Sequence, residues 1–444
     1  MKKNSSELVY FVLGINTYLV SGADDSCLYN LASCEIMKIN NENTQLLYEL
    51  ANGVQIKNYG EKQMIFLNHL KNQGFGSFEP FPMYIERIRY GQPKDVQSVI
   101  DSYIPLQHLY LYITNKCNMN CSFCSQDDIV NRTTGCKRFK NYINDDYLNL
   151  SDYQNILDSF KKLNCHTLNI IGGEPLLEKS LLISIIQYAQ QIGFKNINLY
   201  TNALLLDNEI IEELQNVKLV IHVIGVHSDQ ELIDLIDNNH SNPMQFKTNI
   251  EKLRDNKINF SFNLCITKEN QHLKKEMMDY YRTYNPCAIS CSYIFDEEFD
   301  FSVLYPKKIK PANFLHNLKH NPCIDGKITI YENGNIGTCP LMRNNIIGNI
   351  RKDRICDILG DKKHCLYWDF TMENIVPCKE CSSRYYCIDC RAIESTQTGN
   401  LYGKKYCPKK KILKPNNIAM LKKPNISDVN RQFKGVKIMI FAKR

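Results

Sequence analysis

At 444 residues with 43% hydrophobic side chains, the chain exceeds one ordinary core and points to two or three globular domains. Its most apolar early stretch, residues 8–20, is interrupted by Gly14, Asn16 and Thr17 and is too short to span a membrane. A charged flank followed by a small-residue cleavage site is also missing there, so a cytoplasmic setting without membrane association is expected. In that reducing setting nineteen cysteines are not explained by disulfides, and clustered thiols point to metal or iron–sulfur binding. The net charge of +7 belongs to the tail: from Lys404 onward thirteen Lys and Arg face the single acid Asp428, leaving the preceding body slightly acidic. A basic tail attracts nucleic acid or acidic peptide over a distance, but a solvated extension explains it as well, and nucleic acid is not the expected partner.

In chain order, alternating runs at 8–13, 17–20 and 35–39 read as strands separated by Gly14, Gly22 and Asp25. A helix capped by Asn43 runs to Leu50 and ends at Asn52-Gly53; a second over 62–73 places Ile65, Phe66, His69 and Leu70 on one stripe before Gly74. Residues 1–88 thus form a small α+β unit, and Pro80, Pro82, Gly91 and Pro93 mark its junction with a linker over 89–105. From 106 to 300, strands at 109–114, 167–171, 197–200, 218–223, 259–266 and 288–293 alternate with helices. One helix is capped by Ser151 and runs toward Leu163, one spans 179–191 before Gly193, and one lies near 246–254. Six such units make an α/β fold, a partial (β/α)6 barrel. The polar stretch 125–150 reads as a long loop. From 301 to 410 cysteine becomes the organising residue, as in a small domain tied together by metal, and 411–444 is the basic tail.

After the first barrel strand stands Cys117-Asn118-Met119-Asn120-Cys121-Ser122-Phe123-Cys124, a C-x3-C-x2-C array. Three thiolates on so short a loop can wrap one face of a cubane cluster and leave its fourth iron open; alone they also permit a partial zinc site. After the second strand comes Gly172-Gly173-Glu174-Pro175. Together the two motifs resemble the signatures of the radical SAM superfamily, over roughly residues 106–295.

The resemblance implies that Cys117, Cys121 and Cys124 ligate a [4Fe–4S] cluster whose free iron chelates S-adenosylmethionine. It implies further that Gly172 and Gly173 allow close backbone approach to that cofactor, that Glu174 faces its ammonium group and that Phe123 lies beside its adenine. Thr201-Asn202-Ala203 is similar to the family's Thr-Asn-Gly segment near the ribose and methionine moieties, although an ordinary turn explains it equally. Where many relatives carry Ser-Leu-Asp-Gly, this chain has Gly225-Val226-His227-Ser228-Asp229, so no arginine is assigned to the cofactor carboxylate.

Seven later thiols follow the order Cys323, Cys339, Cys378, Cys381, Cys387, Cys390 and Cys407, with Gly334 between the first two. They resemble the SPASM extension, except that two residues rather than the usual three separate Cys387 from Cys390. That resemblance implies two auxiliary [4Fe–4S] clusters, one on Cys378, Cys381, Cys387 and Cys407, the other on Cys323, Cys339 and Cys390. Cys287 or Cys291 is a candidate fourth ligand, and an open iron able to hold a substrate thiolate is the alternative. A pair of zinc sites is also compatible with the spacing. The remaining thiols, including Cys27, Cys136 and Cys365, read as small buried or incidental residues.

By resemblance, a SPASM extension implies a peptide substrate, and the first unit is similar to the winged-helix-like domain that grips leader peptides by strand addition. The expected function is maturation of a cysteine-rich precursor peptide by thioether formation, as in sactipeptides and ranthipeptides, fed by an external one-electron reductant such as flavodoxin or ferredoxin. Formylglycine formation in a sulfatase, carbon–carbon crosslinking and epimerisation are alternative outcomes of the same chemistry. A non-catalytic iron–sulfur or zinc-binding regulator is the alternative of another class.

Overall fold

The computed structural model describes residues 9–83, 106–121, 124, 130–131, 139, 146–225, 243–295, 306, 308–360, 368 and 370–407. Phe123, Cys136, Cys365, the 89–105 linker, the 226–229 segment and the 411–444 tail lie outside the described residues.

The N-terminal unit begins with β1 (Tyr10–Leu13), β2 (Thr17–Ser21), β3 (Ser26–Asn30) and β4 (Glu35–Ile39). It continues through α1 (Asn41–Ala51), α2 (Glu61–Asn72) and β5 (Gly76–Glu79). β2, β3 and β4 form an antiparallel sheet, and β1 pairs with β5. β3 went unread in the sequence because all five of its residues are buried and show no alternation of polarity. Leu28 faces the cluster packed under α1 and α2, while Cys27 and Tyr29 face Phe314, Tyr385 and Tyr386 of the C-terminal region.

Two helix readings are corrected. α1 is capped by Asn40, whose side chain accepts from Asn43 N–H, so Asn43 lies inside the first turn. In α2 the buried residues are Leu67 and Leu70, and Phe66 packs against the core, whereas Ile65 is 63% exposed: the expected stripe held Leu70 and Phe66 but took in Ile65 in place of Leu67.

The barrel strands are β6 (His108–Tyr112), β8 (Thr167–Ile171), β9 (Asn196–Thr201), β10 (Val220–Gly225), β11 (Phe260–Ile266) and β12 (Ala288–Phe295). All pair in parallel with their neighbours in that order. Within the stretch expected as loop, β7 (Val130–Asn131) pairs antiparallel with β12. The covering helices are α3 (Leu150–Lys162), α4 (Lys179–Gln191), α5 (Asn208–Gln215), α6 (Pro243–Asp255) and α7 (Lys274–Arg282). α3 starts one residue before Ser151 because Asn149 and Asp152 form a reciprocal capping box that Ser151 does not enter.

One set of alternating side chains, including Leu109, Leu111, Leu168, Ile170, Ile221 and Val223, packs under these helices. The opposite set faces the barrel interior.

The C-terminal region starts with α8 (Pro311–Asn317) and a three-strand meander, β13 (Lys327–Ile330), β14 (Asn335–Gly337) and β15 (Ile346–Asn349). It does not form a separate sheet. β13 hydrogen-bonds β6 in parallel, pairing Lys327 with His108 and Ile330 with Leu111, and a ten-stranded sheet results, in the order β15-β14-β13-β6-β8-β9-β10-β11-β12-β7. Among the described residues no helix is long and apolar enough to cross a membrane.

Candidate radical site and cysteine cradles

Beyond β6 and β8 the two chains stay zipped together: Gly173 N–H donates to Thr114 O at 2.9 Å and Glu174 N–H to Lys116 O at 2.8 Å. This contact explains both glycines. A Cβ on Gly172 would lie 2.6 Å from Thr114 O, and one on Gly173 only 2.1 Å from Lys116 O. The missing side chains therefore make room for the backbone that leads into Cys117.

On that loop Met119 N–H points at Cys117 Sγ at 3.4 Å, and Cys124 N–H donates to Cys121 O at 3.0 Å. Cys121 and Cys124 are half-buried against a cluster of Ile224, Cys265 and Ile294 from the ends of β10, β11 and β12, and Tyr200 packs against the same cluster. Asn115 steadies the approach by exchanging two hydrogen bonds with the Phe139 backbone, at 2.7 and 2.8 Å.

Glu174 is fully buried. Its Oε1 accepts from Leu176 N–H at 2.9 Å and Thr201 Oγ1 at 2.7 Å, and its Oε2 from Asn202 N–H at 2.8 Å. Burial pushes its carboxyl up to about 7, although the three donors oppose the rise. Asn202 Nδ2 in turn donates to Asn118 Oδ1 at 2.8 Å, so the Glu174 and Thr201 segments both brace the cysteine loop. Ala203 has φ +64, the left-handed region where a glycine is unstrained, and Asn249 holds it by donating to Ala203 O at 2.8 Å.

Sequence reasoning missed the polar band inside the barrel. Asn169 Nδ2 donates to Leu109 O at 3.2 Å, Asn198 Nδ2 to Asn169 Oδ1 at 3.0 Å, and Asn198 Oδ1 lies 3.0 Å from His222 Nε2. His222 Nδ1 lies 2.7 Å from Ser261 Oγ. The Leu109 carbonyl can only accept, which sets the direction of the whole chain: His222 carries its proton on Nε2, and Ser261 donates to Nδ1. Burial pulls the imidazole down to about 4, in keeping with a neutral ring. Tyr200 stacks on it at 4.5 Å between ring centroids, linking the polar band to Cys121 and Cys124. The signal in the sequence was a polar residue set inside each of four largely apolar strands, Asn169, Asn198, His222 and Ser261, whose alignment follows only from the strand pairing.

Among the C-terminal thiols, Cys323 and Cys390 are hydrogen-bonded to each other, and Cys339 lies close enough to Cys323 for their charges to interact. The Cys390 contact pulls Cys323 down to about 6, and burial pushes Cys339 up to about 12. Separately, Cys387 neighbours Cys407 and Cys381, and Cys378 neighbours Cys387. Cys291 stands on β12 and Cys287 just before it, with β6, β8, β9, β10 and β11 between that strand and β13. Cys287 donates to Asn259, and Cys291 packs against the core under the helices.

Among the described residues no three His, Cys, Asp or Glu side chains close on a single metal ion. Thiolates on different corners of a cubane stand farther apart than that, and the donor set, all sulfur with backbone N–H groups at Cys117 and Cys323, fits such a cluster.

A buried charge quartet binds the ligand segments together. Asp389 takes a bidentate pair of 2.5 Å bonds from Arg391 and a 3.0 Å bond from Lys404, which also reaches Glu394 at 2.9 Å. Arg391 extends the tie to Leu401 O and Gly403 O at 2.7 and 2.8 Å. Its partners thus span the chain from Cys387 and Cys390 to Cys407.

Residues 111–280 match the family model described as the Radical SAM superfamily. An uncharacterized protein of Methanocaldococcus jannaschii is 26% identical over 220 residues, 48% of this chain and 68% of that one. A GTP 3',8-cyclase of Staphylococcus saprophyticus is 32% identical over 102 residues, 23% of this chain and only 28% of the cyclase. Streptococcus suis SuiB bound to its precursor peptide SuiA superposes with a TM-score of 0.50 at 16% identity, covering 86% of this chain and 96% of SuiB. A structure named native anSMEcpe, with bound AdoMet, gives 0.52 at 13% identity, covering 65% of this chain and 90% of that one. At such identities these two structures show a shared fold. Residues 111–280, and the partial barrel they build, thus match the core of radical SAM enzymes, a family whose cofactors are a [4Fe–4S] cluster and S-adenosylmethionine.

Proposed function

We propose that this enzyme is a peptide maturase that joins a cysteine sulfur of a ribosomally made precursor to a carbon of another residue. The observation that carries the reading is how the later cysteines are built into the barrel wall. β13 lies beside β6, Tyr331 Oη donates to Cys339 O at 3.0 Å, and Tyr112 Oη of β6 donates to Pro340 O at 3.3 Å. A cysteine-rich domain continuous with the radical barrel suits a reaction that needs two iron–sulfur sites around one substrate.

In this reading Cys117, Cys121 and Cys124 hold the first cluster, with Gly172, Gly173, Glu174, Thr201, Asn202 and Phe123 around S-adenosylmethionine. Bound together, these two groups supply a 5′-deoxyadenosyl radical able to take hydrogen from an unactivated carbon. Cys378, Cys381, Cys387 and Cys407 form one auxiliary cradle, and Cys323, Cys339 and Cys390 the other. The chain contributes position: Tyr200, stacked on the neutral His222 band, packs against the same apolar cluster as Cys121 and Cys124, and neutral polar side chains there orient a substrate without charging it. The N-terminal unit serves the leader. β5 pairs only with β1 among the described residues, leaving an edge for strand addition. SuiB, a protein of this fold, is known bound to its precursor peptide. The electron comes from an external donor of the flavodoxin or ferredoxin type.

The test is anaerobic incubation with a cysteine-rich precursor encoded beside the gene. Each bridge is expected to remove two hydrogens and one alkylatable thiol by mass spectrometry, and Cys378→Ala is expected to retain some 5′-deoxyadenosine formation while losing the bridges. An unchanged peptide mass, or loss of hydrogens with every thiol retained, overturns thioether formation.

A further inference from the structure

The N-terminal sheet does more than pack against the C-terminal region. Many of its hydrogen bonds fall on one short segment, residues 380–384, which contains Cys381 and leads to Cys387. Ala23 N–H donates to Glu380 O at 2.8 Å, and Tyr29 Oη donates to Ser382 O at 2.9 Å. Cys27 Sγ lies 3.3 Å from Ser382 Oγ, whose hydroxyl donates to Asp25. From the loop, Arg384 returns a bond to Ser21 O at 3.0 Å while its same nitrogen reaches Cys381 O at 2.8 Å. The fit is close enough that a Cβ on Gly22 would sit 2.6 Å from Ser382 N and 2.9 Å from Glu380 O. Ser382 and Ser383 are completely buried, although both stand on a connecting loop.

Inside the loop, Cys381 N–H bonds Cys378 O at 2.9 Å and Cys387 N–H bonds Ser383 O at 3.0 Å. A displacement of Ser382 therefore reaches Cys381 through the peptide bond they share, and Cys387 through the carbonyl of the adjoining Ser383.

We propose that the N-terminal unit, through Gly22, Asp25, Cys27 and Tyr29, is a positioning element of the Cys378, Cys381, Cys387 and Cys407 cradle. The inference rests on the reading of those four thiols as a cluster site. It gives the proposed leader-binding unit a second role: what grips the N-terminal sheet also bears on the loop carrying two ligands. Rigid secondary structure on one side and a metal-loaded loop on the other is the arrangement by which outer contacts tune a cluster.

The test uses the full chain with Cys117, Cys121 and Cys124 all changed to Ala, so that only the C-terminal sites load, reconstituted anaerobically with iron and sulfide and then reduced with dithionite to the paramagnetic state. Tyr29→Phe keeps the ring against Phe314 and Tyr386 and removes only the hydroxyl; Gly22→Ala pushes on the loop directly. Both are expected to release iron to a chelator at least ten times faster than the parent and to alter the part of the electron paramagnetic resonance signal that Cys378→Ala removes, the Cys323, Cys339 and Cys390 site keeping its own. An unaltered signal and release rate, with only a lowered thermal midpoint, overturns the inference and leaves the four-cysteine site intact. Cys378→Ala that removes neither iron nor signal overturns the four-cysteine reading itself, and the inference with it.

Discussion

Gly173→Ala is expected to cost about 3 kcal/mol or more of stability and to empty the Cys117 loop of iron while the rest of the chain stays folded. The new methyl carbon would meet Lys116 O at 2.1 Å and Lys116 C at 2.7 Å, both backbone atoms of the residue next to Cys117. A flexible side chain could turn away from such a contact, but the peptide here is fixed by Glu174 N–H donating to Lys116 O. Relief thus requires moving the cysteine loop away from the end of β8. Iron and sulfide analysis of the reconstituted variant, with circular dichroism for the fold, checks this. Retention of the full iron content would show that the loop tolerates the displacement and that the glycine's role lies elsewhere.

The second large effect is expected at Asp389→Ala, with a loss of about 3–5 kcal/mol. Asp389 is the shared partner of Arg391 and Lys404, both almost wholly buried, and its removal leaves two cations facing Glu394 alone. Burial opposes its ionisation, but Arg391 and Lys404 overcome this and hold its carboxyl well below the usual carboxylate range. A folded value below the unfolded one means that the stabilisation is fully present above the ordinary aspartate value of about 3.9 and is lost only as pH falls toward the folded value. The variant's deficit should therefore be constant between about pH 5 and 8 in chemical denaturation of the reduced protein. Because the quartet joins the Cys387–Cys390 stretch to the segment before Cys407, iron retention in the C-terminal cradles should fall with stability.

The barrel was legible because its strands are short apolar runs separated by amphipathic helices with readable caps. The helix expected over 179–191 is α4, Lys179–Gln191, residue for residue. Errors came where neighbours, rather than local pattern, decide. β3 is covered on both faces and so loses its alternation, and Ile65 looked like a core residue until the packing of α2 turned it outward. The pairing of β13 with β6 joins residues more than two hundred positions apart, a contact that no local periodicity encodes.

At the site, the chemistry-bearing residues were visible by type and spacing, whereas their mutual supports were not. Gly172 and Gly173 were read as room for a cofactor, and the distances show in addition that they make room for the Cys117 loop. The Asn169, Asn198 and His222 band is likewise visible only once the strands are placed side by side.

The most direct test of the central claim is anaerobic reconstitution with iron, sulfide and a strong one-electron reductant, followed by measurement of 5′-deoxyadenosine formed from S-adenosylmethionine. The wild-type protein is expected to produce it and Cys121→Ala to produce none above background. Absence of the product from fully loaded wild-type protein, or equal formation by Cys121→Ala, would contradict the account.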